Sequence, residues 1–251
     1  MPRSVLGVIP ARYAARRFPG KLLADLGGKP VLQRVYEGAA SCPRLDRVVV
    51  ATDDDRIRFA VEAFGGDATL TSAEHLSGTD RVAEVAGRSS HDVVVNIQGD
   101  EPFVNPAVLE QVVDPLLSVG GPDMATLCKR IVDRETFEDR NVVKVVTDDA
   151  GMALYFSRSP IPCPHREAVV RAWEHIGIYA YRRNFLLAFS RMPPGSLEKA
   201  EGLEQLRALE RGYRIAVVET CDHVGVSVDT PQDLERARTA LEAARMRSAV
   251  R

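Results

Sequence analysis

The sequence predicts an α/β fold with a mostly parallel central sheet and helices on both faces. Short runs with apolar cores, Val5–Pro10, Arg47–Thr52 and Asp92–Ile97, alternate with stretches whose apolar residues recur at helical spacing. The runs lack the in-and-out alternation of half-exposed strands, which is the pattern of a parallel sheet covered on both faces. The second half is less regular and predicts a β-rich excursion near residues 126–185 within a single domain spanning 1–251.

In chain order, Val5–Pro10 reads as a buried strand. Val31, Leu32, Val35, Tyr36 and Ala39 form one helical face, with Pro30 suited to the first turn. Val48–Ala51 forms the core of the second strand. Ile57, Ala60, Val61 and Phe64 mark a second helix, closed by Gly65-Gly66. Val93–Val95 centres a third strand. Asn105-Pro106 then opens a helix with a stripe from Val108 to Leu117, in which Pro115 distorts the end. Val142–Val146 and Met152–Phe156 read as hairpin strands, His175–Tyr181 as a strand, Leu203–Leu209 as a helix and Ile215–Val218 as a strand. Thr230-Pro231 caps a last helix bearing Leu234, Ala237 and Leu241.

The 251 residues carry 33 Lys and Arg against 35 Asp and Glu, a net charge of −2. That balance argues against a dedicated nucleic-acid binder and against disorder. No apolar run is long enough to span a bilayer, and the apolar part of Met1–Pro10 is too short for a signal peptide, so a cytoplasmic protein is expected. Cys42, Cys128, Cys163 and Cys221 are scattered, as in a chain of reduced thiols.

Ligands of open parallel sheets bind beyond the C-terminal ends of the strands. The loop after the first strand, Pro10 to Lys21, holds Arg12, Arg16, Arg17 and Lys21. Such cations suit a polyphosphate, or form a solvated basic loop. The spacing is not that of a Walker A loop. In Gln98-Gly99-Asp100-Glu101-Pro102, Asp100 is placed to hold a divalent ion such as Mg²⁺, or to make an ordinary Gly-Asp turn. Asp53-Asp54-Asp55 reads as an acidic helix start in preference to a metal motif. His75–Arg81 offers hydroxyls and an arginine ahead of a helix, or only turn residues. Asp229 is a second candidate metal carboxylate beside the Thr230 cap. His91, His165 and His223 lack metal-ligand spacing, and Trp173 is a packing residue.

Eight segments in order resemble the 3-deoxy-D-manno-octulosonate cytidylyltransferase (CMP-Kdo synthetase) family. They are Ile9–Tyr13, Arg17–Lys21, His75–Arg81, Asn96–Pro102, Tyr155–Arg158, His175–Tyr181, Leu203–Arg207 and Gly225–Pro231. The resemblance implies a nucleotide-diphospho-sugar transferase-like fold and a Mg²⁺-dependent reaction. CTP and Kdo would give CMP-Kdo and pyrophosphate for lipopolysaccharide synthesis, by a homodimer whose contact the β-rich excursion supplies. It implies that Arg12, Arg17 and Lys21 meet the CTP phosphates, and that Ser77, Arg81 and Gln98 help recognise cytidine. It also implies that Asp100 and Asp229 hold Mg²⁺, making Lys21, Asp100 and Asp229 the catalytic set. Arg158, His175, Tyr179, Glu204 and Gln205, with Gln98, would bind the sugar. An amino-Kdo substrate, or a catalytically silent nucleotide-sugar binder, remains the alternative.

Two departures stand out. Ala15 and Arg16 occupy positions where the family commonly has Ser-Thr, so any hydroxyl at Ala15 is lost. Ile161–Arg166 also differs from the usual aromatic-containing stretch, and Cys163 and His165 receive no role.

Overall fold

The computed structural model describes residues 3–15, 17–163, 171–222 and 225–249; Arg16, His165, Arg166 and His223 lie outside them. The elements begin β1 (Val5–Ala11), a 3-10 turn (Lys21–Leu23), α1 (Val31–Ala40), β2 (Arg47–Thr52), α2 (Asp55–Ala63), β3 (Ala68–Leu70), α3 (Gly78–Gly87), β4 (Val93–Asn96) and α4 (Pro106–Leu117). They continue with β5 (Met124–Arg130), α5 (Arg134–Glu138), β6 (Lys144–Thr147), β7 (Ala153–Ser157), β8 (Trp173–Arg182), α6 (Arg183–Phe189), α7 (Ser196–Glu201), α8 (Leu206–Leu209), β9 (Ile215–Glu219) and α9 (Pro231–Ala249). The class is α/β, as the patterning predicts.

The chain packs as two compact units. The first comprises Ser4–His91, Asn96–Glu110 and Asp222–Arg251; the second comprises Met1–Arg3, Asp92–Val95 and Gln111–Cys221.

In the first unit β1 pairs with β2, and β2 with β3, all parallel. Val8, Ile9, Val50 and Ala51 have no exposure, which is why these strands are apolar throughout. Val31, Leu32, Val35 and Ala39 of α1 are buried, and so are Ile57 and Val61 of α2. Pro30 is the N-cap of α1, one position earlier than a first-turn residue. Asp54 caps α2 by accepting from the Arg56 amide at 2.9 Å, so the acidic triplet does open a helix.

The second unit mixes directions. β5 runs antiparallel to β8 and parallel to β9, while β6 pairs antiparallel with both β7 and β8. The hairpin strands start later than the apolar pattern predicts, at Lys144 and Ala153. The helix expected over Leu203–Leu209 begins only at Leu206, because Leu203–Gln205 form a turn that bonds forward to Leu206–Ala208. β5 escapes the apolar pattern because Thr126 is fully buried in its middle.

Candidate active site

Three loops of the first unit share one apolar underside. Leu26, Val31, Val228, Leu234 and Ala237 form a buried cluster, and Phe18, Phe103 and Val226 pack against it. One loop follows β1, one contains Asp100 and one leads into α9, so a common core sets their mutual positions.

The loop after β1 is closed on itself. The Tyr13 carbonyl accepts from the Ala15 amide at 2.9 Å and from the Gly20 amide at 3.0 Å. Gly20 has φ +73, and a Cβ there would lie 3.2 Å from the Tyr13 ring. Glycine meets both demands, the left-handed backbone and the close ring. Arg56 stacks over the other aspect of this anchor, with its guanidinium 3.4 Å from the Tyr13 ring centroid. The 3-10 turn then starts at Lys21, pinned by buried Leu22.

The second loop leaves the sheet at Ile97, whose amide donates to the Val8 carbonyl at 2.9 Å. A Cβ on Gly99 would lie 3.0 Å from the Pro10 carbonyl oxygen, a contact so tight that the backbone would have to give by a few tenths of an ångström. The Asp100 carbonyl accepts from the Val228 amide at 2.8 Å, which fastens the third loop to the second. Thr230 caps α9: its hydroxyl accepts from the Asp233 amide at 3.2 Å, and its amide donates to Asp233 Oδ2 at 2.8 Å. Asp229 is thereby held just ahead of a defined helix start.

The result is a convergence of charge. Lys21 Nζ donates to Asp100 Oδ2 at 2.6 Å and to Asp229 Oδ1 at 2.8 Å. Arg17 Nη2 lies 2.8 Å from Asp229 Oδ2. Burial opposes the Lys21 charge, but Asp100 and Asp229 outweigh it and hold the ammonium above the ordinary lysine range. Glu101, next in the chain, is driven up to about 7 by burial, with Asp100 adding to the effect. Asp100 and Asp229 are partly exposed hard oxygen donors drawn together on one cation. That donor set fits a divalent ion that completes its shell with phosphate oxygens and water. Among the described residues no group of three or more His, Cys, Asp and Glu offers a closed metal cage.

The other residues expected near a nucleotide have definite partners. Arg12 Nη2 donates to the His75 carbonyl at 2.6 Å. Ser77 caps α3, accepting from the Asp80 amide at 3.0 Å in a reciprocal box with the Asp80 side chain. Arg81 has no exposure; it bonds Thr71 Oγ1 and sits 3.1 Å from Asp53 Oδ2. Its Nε and Nη2 have no hydrogen-bond partner among the described residues. Gln98 is half-buried, and its carbonyl accepts from the Glu101 amide at 3.3 Å.

The second unit gathers the remaining candidates. The His175 ring stands edge-on to Phe156, with centroids 5.0 Å apart, and 5.5 Å from the Tyr179 ring. Thr126 Oγ1 lies 3.0 Å from His175 Nε2, 3.0 Å from the Ile176 carbonyl and 2.9 Å from the Ile178 carbonyl. A hydroxyl has one proton and carbonyls only accept, so the threonine donates to a carbonyl and His175 donates from Nε2. Burial pushes His175 down to about 3, which keeps the ring neutral. Burial raises the Tyr179 phenol, and the charge of Glu204 adds to it.

Arg158 donates from Nε to the Glu201 carbonyl at 2.9 Å and from Nη1 to the Arg140 carbonyl at 3.3 Å. Gln205 is buried, and its side-chain nitrogen lacks a partner among the described residues. Buried Arg207 braces this segment through Glu198, with Nε to Oε2 at 2.7 Å and Nη2 to Oε1 at 2.5 Å. Tyr13, Thr126, Lys144 and Glu201 are supporting residues that sequence reasoning missed. Lys144, a lone cation inside the apolar run Val142–Val146, was the one visible signal among them.

The chain matches a family model described as cytidylyltransferase over residues 6–215. It is 52% identical to the 3-deoxy-manno-octulosonate cytidylyltransferase of Solibacter usitatus, over 97% of this chain and 96% of that protein. It is 49% identical to the protein of the same name from Geobacter sulfurreducens, over 95% of this chain and 100% of that one. A solved structure of CMP:2-keto-3-deoxy-manno-octonic acid synthetase complexed with CTP is similar at TM-score 0.92 and 44% identity, covering 96% of this chain and 99% of that one. A cytidylyltransferase structure from Leptospira borgpetersenii shares the fold at TM-score 0.65 and 18% identity, covering 96% and 87% of the two chains.

Proposed function

This chain belongs to the 3-deoxy-manno-octulosonate cytidylyltransferase family, and from that premise we propose that it transfers CMP from CTP to Kdo in a Mg²⁺-dependent reaction that releases pyrophosphate. The observation that supports this chemistry most directly is the convergence of Asp100 and Asp229 on Lys21.

In the reaction the anomeric oxygen of Kdo bonds to the α-phosphorus, the α–β phosphoanhydride breaks, and the hydroxyl proton passes to solvent. Charge neutralisation and alignment dominate such a step. Arg12, Arg17 and Lys21 neutralise phosphate oxygens, Lys21 from its place between the two carboxylates. The loop around Ser77 and Arg81 and the backbone near Gln98 help recognise the cytidine. A Mg²⁺ ion held by Asp100 and Asp229 would neutralise phosphate charge and lower the pKa of the attacking hydroxyl. Arg158 pairs with the sugar carboxylate through its guanidinium fork. Neutral His175, Tyr179, Gln205 and the Glu204 carboxylate meet sugar hydroxyls, and the Gln205 nitrogen, without a partner among the described residues, is a donor suited to one. No protein nucleophile takes part.

The proposal extends to a cytoplasmic homodimer serving lipopolysaccharide assembly. Leu154 on β7 and Val132 are 61% and 86% exposed, and apolar residues left on the surface of the β-rich segment suit a subunit contact. Among the described residues no helix is long and apolar enough to cross a membrane.

A coupled pyrophosphate assay tests the activity, crossing CTP, UTP, ATP and GTP with Kdo, 8-amino-Kdo and sialic acid, with and without Mg²⁺. Release is expected with CTP, Kdo and Mg²⁺ together. Preference for 8-amino-Kdo would move the assignment to that sugar, and no release with any pair would leave a silent binder.

A further inference from the structure

Lys144 lies on β6, opposite Ser157 of β7 and Glu174 of β8. It has no solvent exposure. Burying an ammonium is costly unless its three N–H groups are all met. Here three backbone carbonyls meet them: Asp139 at 2.8 Å, Val142 at 2.7 Å and Arg158 at 2.7 Å. Charged groups surround the cage, with Asp139, Glu201 and Glu174 favouring the cation and Arg158 opposing it.

The third carbonyl is the informative one. Arg158 is gripped on both sides of its Cα: Lys144 takes its carbonyl, and Glu201 Oε2 takes its amide at 3.0 Å. Glu201 is itself fixed by the Ser157 hydroxyl, which donates to Oε1 at 2.6 Å. Arg158 Nε and Nη1 are held by carbonyls, whereas Nη2 has no partner among the described residues and the side chain is partly exposed. A guanidinium held through Nε and Nη1 has its orientation set before an incoming anion meets Nη2.

Given the assignment of Arg158 to the sugar carboxylate, on which this rests, we infer that Lys144 is a positioning residue of the sugar site: its ammonium fixes the Arg158 backbone through the carbonyl.

The test compares wild type, Lys144→Met, Lys144→Gln, Arg158→Ala and the Lys144→Met/Arg158→Ala double variant. Kdo and CTP are varied separately, and the folded fraction is measured by urea unfolding. Lys144→Met is expected to raise the Kdo KM about tenfold while the CTP KM stays within about twofold. Lys144→Gln should fall between, since its amide still reaches one carbonyl. The double variant should be no worse for Kdo than Arg158→Ala alone, because both changes remove one interaction. An unchanged Kdo KM in Lys144→Met, or a loss of kcat that merely follows the folded fraction, would overturn the inference. Failure of both lysine variants to fold would also overturn it, since the contribution would then belong to the fold. No turnover by wild type would remove the functional reading and this inference with it; wild-type turnover with normal Kdo KM in Lys144→Met would remove this inference alone.

Discussion

Lys21 and Asp100, 79 residues apart in the chain, meet at 2.6 Å between Nζ and Oδ2, and Asp229 closes on the same ammonium at 2.8 Å. A cation is thus already seated between the two carboxylates proposed to hold metal. Both carboxylates are partly exposed, so neither is needed to fill the core. Asp100→Asn and Asp229→Asn are therefore expected to lower kcat by on the order of 100-fold or more while leaving the thermal midpoint close to wild type. Normal Mg²⁺-dependent pyrophosphate release by either variant would remove that residue from the metal site.

Gly99 packs its backbone against the Pro10 carbonyl oxygen, 3.0 Å from where a Cβ would stand. Neither partner is a flexible side chain, so the strain has nowhere cheap to go. Gly99→Ala should cost about 1–3 kcal/mol in urea unfolding and reduce CTP turnover beyond the loss of folded protein. A variant as stable and active as wild type would show that the two loops yield without consequence.

Arg158→Ala removes the guanidinium proposed to meet the sugar carboxylate. It is expected to raise the Kdo KM by at least about tenfold and to leave the CTP KM within about twofold, the pattern of an interaction made equally in ground and transition states. Steady-state kinetics with each substrate varied in turn will read this, and a shift in the CTP KM alone would contradict it.

His175 carries a pH signature. Its pKa is pushed by burial from the ordinary 6.5 to about 3 in the folded chain, so between those values the unfolded chain binds more protons. Its contribution is complete above pH 6.5 and is lost as pH falls from there toward 3, by up to about 1.4 kcal/mol per unit. Urea unfolding at pH 7.5 and 5.5 should show a smaller acid loss in His175→Gln than in wild type. Equal losses would mean that the imidazole is not kept neutral by its surroundings.

Leu154 and Val132 give the proposed homodimer a surface to test. Leu154→Asp should shift the protein from dimer to monomer in light scattering at micromolar concentration. A wild-type monomer, or a dimer untouched by the substitution, would place the contact elsewhere or remove it.

The charged loops of the candidate site were legible because they leave apolar strands or precede a helix cap. Arg12 directly follows β1, Lys21 closes the same loop, Asp100 follows β4 within a few positions, and Asp229 stands beside its own helix cap. What could not be read was the fastening between them: the Val228 amide on the Asp100 carbonyl, and Phe18, Phe103 and Val228 on one apolar cluster, are long-range facts. β5 was lost for a local reason, since buried Thr126 interrupts its apolar run, and Lys144 blurred the start of β6 in the same way. The packing of Arg81 was not legible either. Its side chain is engaged by Thr71 and Asp53 with no exposure, which spacing alone does not reveal.

The activity proposed for this chain is the joining of CMP to Kdo. Phosphorus NMR of the protein with CTP, Kdo and Mg²⁺ tests it most directly, because substrate and both products are seen at once. The expected result is the loss of the CTP triphosphate signals in step with the growth of a sugar phosphodiester signal and of pyrophosphate, in equal amounts. Pyrophosphate growing with free CMP in place of the phosphodiester, or CTP left intact, would contradict it.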